Sequence, residues 1–301
     1  EGKLLERGIA MPSCELHLPR EMIQSFQVVE LSEVDKIPET TAVQHTKDVV
    51  FSKEELEIDV PFLYAHCQEQ NIDFSRNPYQ ASAFAEKQGK IYEFDRELSG
   101  FIRLKIEASE EYHLLLSYDE ILTANHLNPF RMNSCNVISV KGPAGSCCME
   151  TLEPYSIKYI KVSVLSGSID KLDLSVRSFE NGTENSFQPE FQDEDIKVIF
   201  EAAKETYRQN AVDIFTDCPS RERAGWLCDS FFTGRAEWAL TDQNSVEHNF
   251  LENILLFHND DILPDGMLPM CYPADFPNGE FIPNWGMWFV LELEEYFNRT
   301  N

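Results

Sequence analysis

Apolar and polar residues alternate in short runs over residues 49–176 of the chain. Representative runs are IYEFDRELSG (91–100), YHLLLSYDEIL (112–122) and IKYIKVSVLSG (157–167), and turn-forming residues separate such runs. Alternation with a period of two, interrupted by Gly, Pro, Asn or Ser, is typical of antiparallel strands with one buried face. The pattern predicts an antiparallel β-sandwich that is jelly-roll-like.

The periodicity changes near residue 185. In the segment 193–210, apolar residues recur at helical spacing, and acidic residues open the first turn, where the helix dipole favours them. The apolar positions are Ile196, Ile199, Phe200, Ala203 and Tyr207. Segments 230–241, 245–260 and 284–299 also have helical patterns. The chain is therefore predicted to pass from an all-β part to an all-α part.

This change divides the 301-residue chain into three predicted segments. Residues 1–48 contain proline-punctuated stretches and are expected to form an extended arm or linker. Residues 49–184 form the predicted β-sandwich domain, and residues 185–301 form the predicted helical domain. A chain of this length with 43% apolar residues can build two hydrophobic cores.

The net charge of −27 restricts the classes of partner. Such a charge repels phosphate backbones and anionic membrane surfaces, so neither nucleic acid nor membrane is an expected partner. No apolar run reaches the roughly 18 residues that cross a bilayer, and the N-terminus lacks an apolar signal core. A soluble mature or cut chain is therefore expected.

Cysteine usage gives little further information. The eight cysteines contain no Cys-x-x-Cys pair, and no histidine stands at zinc-finger spacing from them, which argues against a structural zinc. An even number permits disulfides without requiring them, so the cellular compartment is not settled.

The segment DCPSRERAGWLCD, residues 217–229, stands between two predicted helices and has no apolar periodicity. Its carboxylates can accept hydrogen bonds from sugar hydroxyls, and its indole can stack on a pyranose. Neighbouring carboxylates also push their pKa values apart, so one of them can stay protonated. A protonated Glu222 beside Trp226 is therefore a candidate general acid. An equally weighted alternative is that Arg221 and Arg223 pair with the three carboxylates as a structural cluster.

The same segment closely resembles the signature of the α-L-rhamnosidase family of glycoside hydrolases. That signature runs Asp-Cys-Pro, a variable residue, Arg-Glu-Arg, a variable residue, Gly-Trp, two small residues and Asp. The segments IYEFDRELSGFIRLKI, TLEPYSIKYIKV and IPNWGMWFVLELEEYF are also similar to family sequences, so the resemblance covers about residues 90–297. The resemblance implies an (α/α) fold, a toroid of six helical hairpins. It also implies an enzyme that hydrolyses a terminal α-L-rhamnoside with inversion of configuration.

The resemblance also implies site residues. Glu222 takes the place of the general acid, and no metal or organic cofactor is required. The implied substrate-binding residues are Asp217, Arg221, Trp226, Asp229 and Trp285. Glycan-degrading enzymes of this kind suggest a periplasmic or secreted location.

Two positions depart from the family pattern. Cys228 stands where a small residue is common and is expected to narrow the pocket floor, whereas Asn284 replaces a frequent Asp. Of the two tryptophans in the last predicted helix, Trp285 is expected to face outward and Trp288 inward.

The expected fold also exceeds the available length. Twelve helices of about 12 residues with their loops need well over 150 residues, whereas 111 follow Glu190. The chain is therefore expected to be an N-terminal portion that lacks the family's catalytic base and is inactive alone. The late acids are expected on loops and solvated helix faces; they are Glu280, Glu292, Glu294 and Glu295.

Two other functions stay open. A related toroid hydrolase could act on another terminal sugar, and a carbohydrate-binding protein could use the β-sandwich as its binding domain. Glycan affinity retained by a chain that ends near residue 185 would favour the second alternative.

Overall fold

A computed structural model describes residues 7–32, 59–184, 187–257, 263–274 and 281–300. The chain divides into two compact units. One unit is residues 15–178, and the other combines the N-terminal residues up to 14 with residues from 179 onward. Parts of the predicted arm 1–48, and Glu280, lie outside the described residues. The predicted domain boundaries stay a prediction.

The unit of residues 15–178 is built around antiparallel strands, as the alternation predicts. Its strands are β1 (Leu16–His17), β2 (Glu21–Glu30), β3 (Cys67–Asp73), β4 (Asn77–Pro78), β5 (Ser82–Phe84), β6 (Gln88–Ala108), β7 (Tyr112–Asp119), β8 (Leu122–Thr123), β9 (His126–Leu127), β10 (Val137–Gly142), β11 (Gly145–Glu150), β12 (Tyr155–Ser166) and β13 (Ile169–Ser178). Among the described residues of this unit, Asp59–Ala65 form helix α1.

The 21-residue strand β6 organises this unit. It pairs with β2, β11, β12 and β13, and the hydrogen-bonded order through it is β1-β13-β6-β12-β7-β10. All pairings are antiparallel, and β8 and β9 form a separate two-stranded sheet. The antiparallel sheet is thus confirmed, whereas the jelly-roll arrangement stays a prediction.

Alternation along β6 explains why its residues form a strand. Ile102, Leu104 and Ile106 are fully buried, while the charged residues between them are not. Burying one face of such a strand stabilises the sheet by roughly 2 kcal/mol per large apolar side chain. These residues belong to a core that also includes Phe94, Leu98 and Val162.

The second unit contains four helices within the described residues, as the helical periodicity predicts. They are α2 (Glu194–Asn210), α3 (Leu227–Thr241), α4 (Ser245–Leu255) and α5 (Pro283–Thr300). Asp193 caps α2 by accepting hydrogen bonds from the amides of Asp195 (2.9 Å) and Ile196 (3.4 Å). The core between the helices includes Tyr207, Phe215, Leu227, Phe250 and Phe289. No helix in the described part of the chain is long and apolar enough to cross a membrane.

The predicted core face of α2 is correct only at its C-terminal end. Tyr207 is 5% exposed and Phe200 is partly buried, but Ile196 and Ile199 are 55% and 68% exposed. The first two turns of α2 carry an apolar stripe that no described residue covers, so periodicity alone overestimated the buried face. The six-hairpin toroid itself stays a proposal.

Candidate functional site

The signature segment begins with a closed loop. The amide of Asp217 donates to the carbonyl of Ala224 (3.1 Å), and the amide of Ala224 donates back to the Asp217 carboxyl (3.0 Å). Arg223, inside the loop, has a φ of +50°, in the left-handed region that such a tight return requires. Residues 217–224 are therefore a backbone-tied loop in which Asp217 is fixed at one end.

The end of the signature is held against a second segment, residues 270–273. Gly225 and Tyr272 are joined by a bond from the Tyr272 amide to the Gly225 carbonyl (2.9 Å), and the Gly225 amide donates to Pro273 (3.1 Å). The Leu227 amide donates to Met270 (3.2 Å). Trp226 then serves as the N-cap residue of α3. This short pairing fixes the direction in which the signature enters α3.

Two carboxyl groups meet inside the loop. Ligand atoms of Asp217, Cys218 and Glu222 all lie within 4.8 Å of one another. The Cys218 thiol donates to the Glu222 carboxyl (3.7 Å), and Arg221 forms an ion pair with the same carboxyl. Among the described residues, these three side chains are the ones whose ligand atoms lie close enough together to hold one metal ion. That no metal takes part stays a prediction.

The two carboxyls of the loop differ in pKa. Burial, and then a hydrogen bond with Glu222, raise the pKa of Asp217 to about 6. The hydrogen bond from Asp217, together with Arg221, lowers the pKa of Glu222. The sequence expectation was a protonated Glu222 beside Trp226, whereas the directions of the two pKa shifts favour Asp217 as the protonated group. The pair retains one proton because two adjacent carboxyls do not readily ionise together.

Asp229 stands near this pair, in the first turn of α3. Burial raises its pKa, and the charge of Glu222 raises it further. Cys228, beside it, is half-buried, and its thiol pKa is raised by burial and by Asp229. The structure therefore brings together four of the loop residues singled out by sequence. Glu222 interacts with Asp217 and Arg221 directly and with Asp229 through its charge.

The tryptophans differ from expectation. Trp285 was expected to face outward, but it packs partly buried against the helical core, and its Nε1 is buried without a hydrogen-bond partner among the described residues. Trp288 is half-buried between Phe231 and Phe232, with ring centroids 4.9 and 5.4 Å away. Asn284 is exposed. Trp285 is therefore not the outward ring that was expected, whereas Trp288 has the aromatic neighbours expected of an inward ring.

Sequence reasoning missed two residues beside the carboxyl pair. Cys218 interacts with Glu222 through its thiol and accepts the Glu222 amide at 3.4 Å. Cys271 is buried, and burial together with the charges of Asp217 and Glu222 raises its pKa to about 11. Cys218 lies inside the signature and could have been noticed; Cys271 lies 42 positions after Asp229, and only the fold brings it near.

Among the late acids, Glu292 is not on a solvated face. It is 1% exposed, whereas Glu294 is exposed as expected. Glu295 is half-buried and pairs with Arg235 at 2.5 Å, so it lies at the rim of the helical core.

The sequence of the helical unit matches a known family. Residues 187–301 match the family model of the bacterial alpha-L-rhamnosidase 6 hairpin glycosidase domain. No curated protein matches the chain.

Solved structures of rhamnosidases have a similar fold. A rhamnosidase from Klebsiella oxytoca with rhamnose bound has a TM-score of 0.65 at 14% identity, over 96% of this chain and 53% of that one. A GH78 family rhamnosidase of Bacillus sp. GL1 has a TM-score of 0.63 at 16% identity, over 76% of this chain and 24% of that one. The Streptomyces avermitilis α-L-rhamnosidase complexed with L-rhamnose has a TM-score of 0.53 at 13% identity, over 88% of this chain and 27% of that one. The chain thus spans between about a quarter and a half of the length of these proteins.

The solved structures share the fold of this chain, an antiparallel β unit followed by a helical unit. Over residues 187–301, the chain is similar to the bacterial alpha-L-rhamnosidase 6 hairpin glycosidase domain.

Replacing Asp217 by Asn should stabilise the fold. The amide oxygen of Asn can still accept the Ala224 amide, while the repulsion between two carboxyls disappears. Because the folded pKa of Asp217 is raised from 3.8 to about 6, wild-type stability falls as pH rises through that window, and the variant escapes this fall. We expect a gain of about 1 kcal/mol above pH 6, less than the shift alone implies, because solvent screens a half-exposed loop.

Urea unfolding between pH 4 and pH 8 measures this gain. Asp265→Asn, at an exposed aspartate, is the matched control and should show no pH-dependent difference from wild type. A gain for Asp217→Asn that is the same at every pH would contradict the shared-proton interpretation.

Proposed function

We propose that this protein is a glycoside hydrolase that removes terminal α-L-rhamnose from glycans or glycosides. The observation that carries the proposal is the carboxyl pair of Asp217 and Glu222 on the signature loop, inside the region that matches the rhamnosidase domain. Cleavage of a glycosidic bond needs a proton for the leaving oxygen, and a pair that retains one proton near pH 6 can supply it.

Glu222 is the proposed general acid. In the structure its carboxyl is hydrogen-bonded to Asp217, so a proton held on Asp217 can pass to Glu222 and from there to the leaving oxygen. Asp217 is therefore proposed both to store the proton and to bind a sugar hydroxyl. The role of Arg221 is to keep Glu222 in place until substrate binds.

The remaining site residues are proposed to hold the sugar. Asp229 can accept hydroxyl hydrogen bonds from the first turn of α3, and the half-buried Trp226 can cover the apolar face of the ring. Trp285 is a proposed contact through the part of its indole that is not packed against the core. The proposed substrate is neutral, which suits an acidic protein better than an anionic one.

We further propose that hydrolysis proceeds with inversion, in which a second carboxylate activates water about 6.5–9.5 Å from the acid. No residue of this chain matches the family's motif for that base. The 301-residue chain is therefore expected to be inactive alone, while it retains the acid and the sugar-binding residues.

A cavity of about 880 Å³ in the β unit bears on the alternative of a carbohydrate-binding protein. Its described lining includes Glu30, Lys87, His113 and Lys141 but contains no Trp, Tyr or Phe. Sugar sites usually place an aromatic ring against the pyranose, so this cavity does not favour sugar binding by the β unit.

The test of the proposal is hydrolysis of a panel of aryl glycosides by the natural full-length protein. Turnover of 4-nitrophenyl α-L-rhamnoside, with little turnover of the other aryl glycosides, is the expected result. Turnover of a different aryl glycoside would keep the hydrolase and change the sugar. No turnover by a folded protein, together with glycan binding by residues 15–178, would favour the binding protein instead.

A further inference from the structure

Three glutamates are buried where α3, α4 and α5 pack together. Glu237, Glu247 and Glu292 are each 1% exposed or less, and Arg299 is the one cation that contacts this group within the described residues. Buried carboxylates are unfavourable unless each has a partner that compensates its charge. The question is which of the three lacks such a partner.

Glu247 has the arginine. Arg299 Nη2 donates to both carboxyl oxygens of Glu247 at 2.5 Å, and Gly234 on α3 leaves room for them, since a Cβ at that position would stand 2.5 Å from Glu247 Oε1. A side chain larger than hydrogen at residue 234 would displace the pair. The charge of Arg299 is thus used by Glu247.

Glu237 has backbone donors. Its two carboxyl oxygens accept the amides of Val246 and Glu247, each at 2.9 Å, in the first turn of α4. Those amides have no partner within their own helix, so this carboxyl compensates for the open end of α4. Its pKa is raised to about 7, first of all by burial.

Glu292 accepts no hydrogen bond from a cation or a backbone amide among the described residues. Its contact is the Ser230 hydroxyl, with 2.5 Å between Glu292 Oε2 and Ser230 Oγ, and its Oε1 has no hydrogen-bond partner among the described residues. Ser230 is fully buried in the first turn of α3. An ionised carboxylate in this position would be buried with a single neutral donor.

The hydrogens available at Ser230 favour a neutral Glu292. The Ser230 hydroxyl also lies 2.6 Å from the carbonyl oxygen of Leu227. A hydroxyl has one hydrogen and a carbonyl can only accept, so Ser230 cannot donate fully to both Leu227 and Glu292. A protonated Glu292 supplies the second hydrogen, and both close contacts are then hydrogen bonds.

We propose that Glu292 is a protonated carboxyl group that donates a hydrogen bond to Ser230 and thereby positions the first turn of α3, which carries Asp229. In this arrangement Glu292 on α5 donates to the Ser230 hydroxyl, and the Ser230 hydroxyl donates to the carbonyl oxygen of Leu227 on α3. Glu292 is a positioning residue in this arrangement and does not contact the substrate.

Burial supports the same state. It raises the pKa of Glu292 to about 8, the charge of Glu247 raises it further, and Ser230 and Arg299 lower it. The charged groups that act on Glu292 are Glu247 on α4 and Arg299 on α5. Glu237 on α3 and Glu295 on α5 interact with these two residues in turn. The acidic groups of this cluster outnumber its one arginine, which disfavours a further carboxylate.

A carbon-13 NMR titration of the glutamate side-chain carboxyls in the 301-residue chain tests the protonation directly. The resonance that disappears in Glu292→Gln identifies the group. We expect it to titrate near pH 8, far above the ordinary glutamate value of 4.5. A Glu292 resonance that is already ionised at pH 6 would overturn the proposal.

Unfolding equilibria give a second test, because the effect of Glu292→Gln on stability differs between a protonated and an ionised Glu292. For a protonated donor, the ratio of unfolding constants of wild type to Glu292→Gln rises with pH, by at most about tenfold per unit between pH 5 and pH 8. The amide of Gln can still donate to Ser230 and carries no charge to bury. For an ionised acceptor, Glu292→Gln would instead be less stable at every pH. Glu294→Gln, the same change at an exposed position of α5, is the matched control.

The positioning role rests on the proposed function and needs an enzymatic readout. In the full-length protein, KM for the aryl rhamnoside should rise several-fold above pH 8 in wild type and stay flat in Glu292→Gln. A flat KM in both proteins would remove the positioning role. If no rhamnoside is hydrolysed but the NMR titration is near pH 8, the proposed function fails while the protonated Glu292 stands.

Discussion

Glu222→Gln is expected to lower kcat for rhamnoside hydrolysis in the full-length protein by about 10²- to 10⁴-fold, the usual contribution of a general acid. Gln has nearly the shape of Glu and can still bind Arg221 through its amide oxygen, but it has no proton to transfer. KM should change little, because Asp217, Asp229 and Trp226 are left in place. Initial rates over a range of substrate concentrations separate the two effects.

The leaving group shows whether the loss is one of acid catalysis. 4-Nitrophenolate departs with little protonation, whereas an alkyl alcohol needs a proton, so the variant should lose far more activity on an alkyl rhamnoside. The alkaline limb of the pH profile should also disappear in the variant. Glu294→Gln is the control for a Glu to Gln change on the surface. An equal loss on both substrates would assign Glu222 a structural role in the loop.

Local sequence patterns predicted some elements well and others only in part. Over residues 101–108, strand β6 alternates strictly enough that its buried residues follow from the sequence, and α2 begins where its acidic N-cap Asp193 indicates. Both depend on interactions between residues close in the chain. The loop of residues 217–229 was singled out from sequence as a candidate site because it is densely charged and has no apolar periodicity, and its catalytic role stays a prediction.

Helix α5 shows why the burial of Glu292 could not be predicted. Its inward face follows the spacing of Trp285, Phe289, Glu292, Tyr296 and Arg299, and two of these five have ionisable side chains. Its exposed residues include strongly apolar ones, with Met287 at 69% and Val290 at 62% exposure. A pattern of apolar residues therefore points to the wrong face. Only the partners on α3 and α4 make the charged face the buried one.

The position of the proton was also beyond the sequence. Spacing places Asp217 and Glu222 on one loop, but it does not show which carboxyl is more buried or which one Arg221 contacts. In the structure, burial raises the pKa of Asp217 although the Ala224 amide lowers it, while the hydrogen bond from Asp217 and the ion pair with Arg221 lower the pKa of Glu222. Small differences in environment, which three-dimensional packing sets, thus decide where the proton is stored.

Gly225→Ala is expected to destabilise the helical unit by about 3 kcal/mol or more, through overpacking against backbone. An added Cβ would clash with the carbonyl oxygen of Tyr272, and it would stand 2.9 Å from the Tyr272 carbonyl carbon and 3.0 Å from Phe250 Cε2. The two backbone hydrogen bonds of Gly225 with Tyr272 and Pro273 leave no direction in which the chain can relax without breaking one of them. Denaturant unfolding of the 301-residue chain measures the loss.

Gly286→Ala is the matched control, since the same substitution there has the opposite expected effect. Gly286 lies inside α5, where the nearest atom to an added Cβ is Leu268 Cβ at 4.0 Å, so Ala fits and should stabilise the helix by about 0.5–1 kcal/mol. If Gly225→Ala were as stable as wild type, the pairing of residues 225–227 with 270–273 would not be what holds the signature loop. If instead Gly225→Ala lost both stability and substrate binding, the close approach of the two backbones would explain why the signature has a glycine here. That close approach would then be what keeps Asp217 and Asp229 at one site.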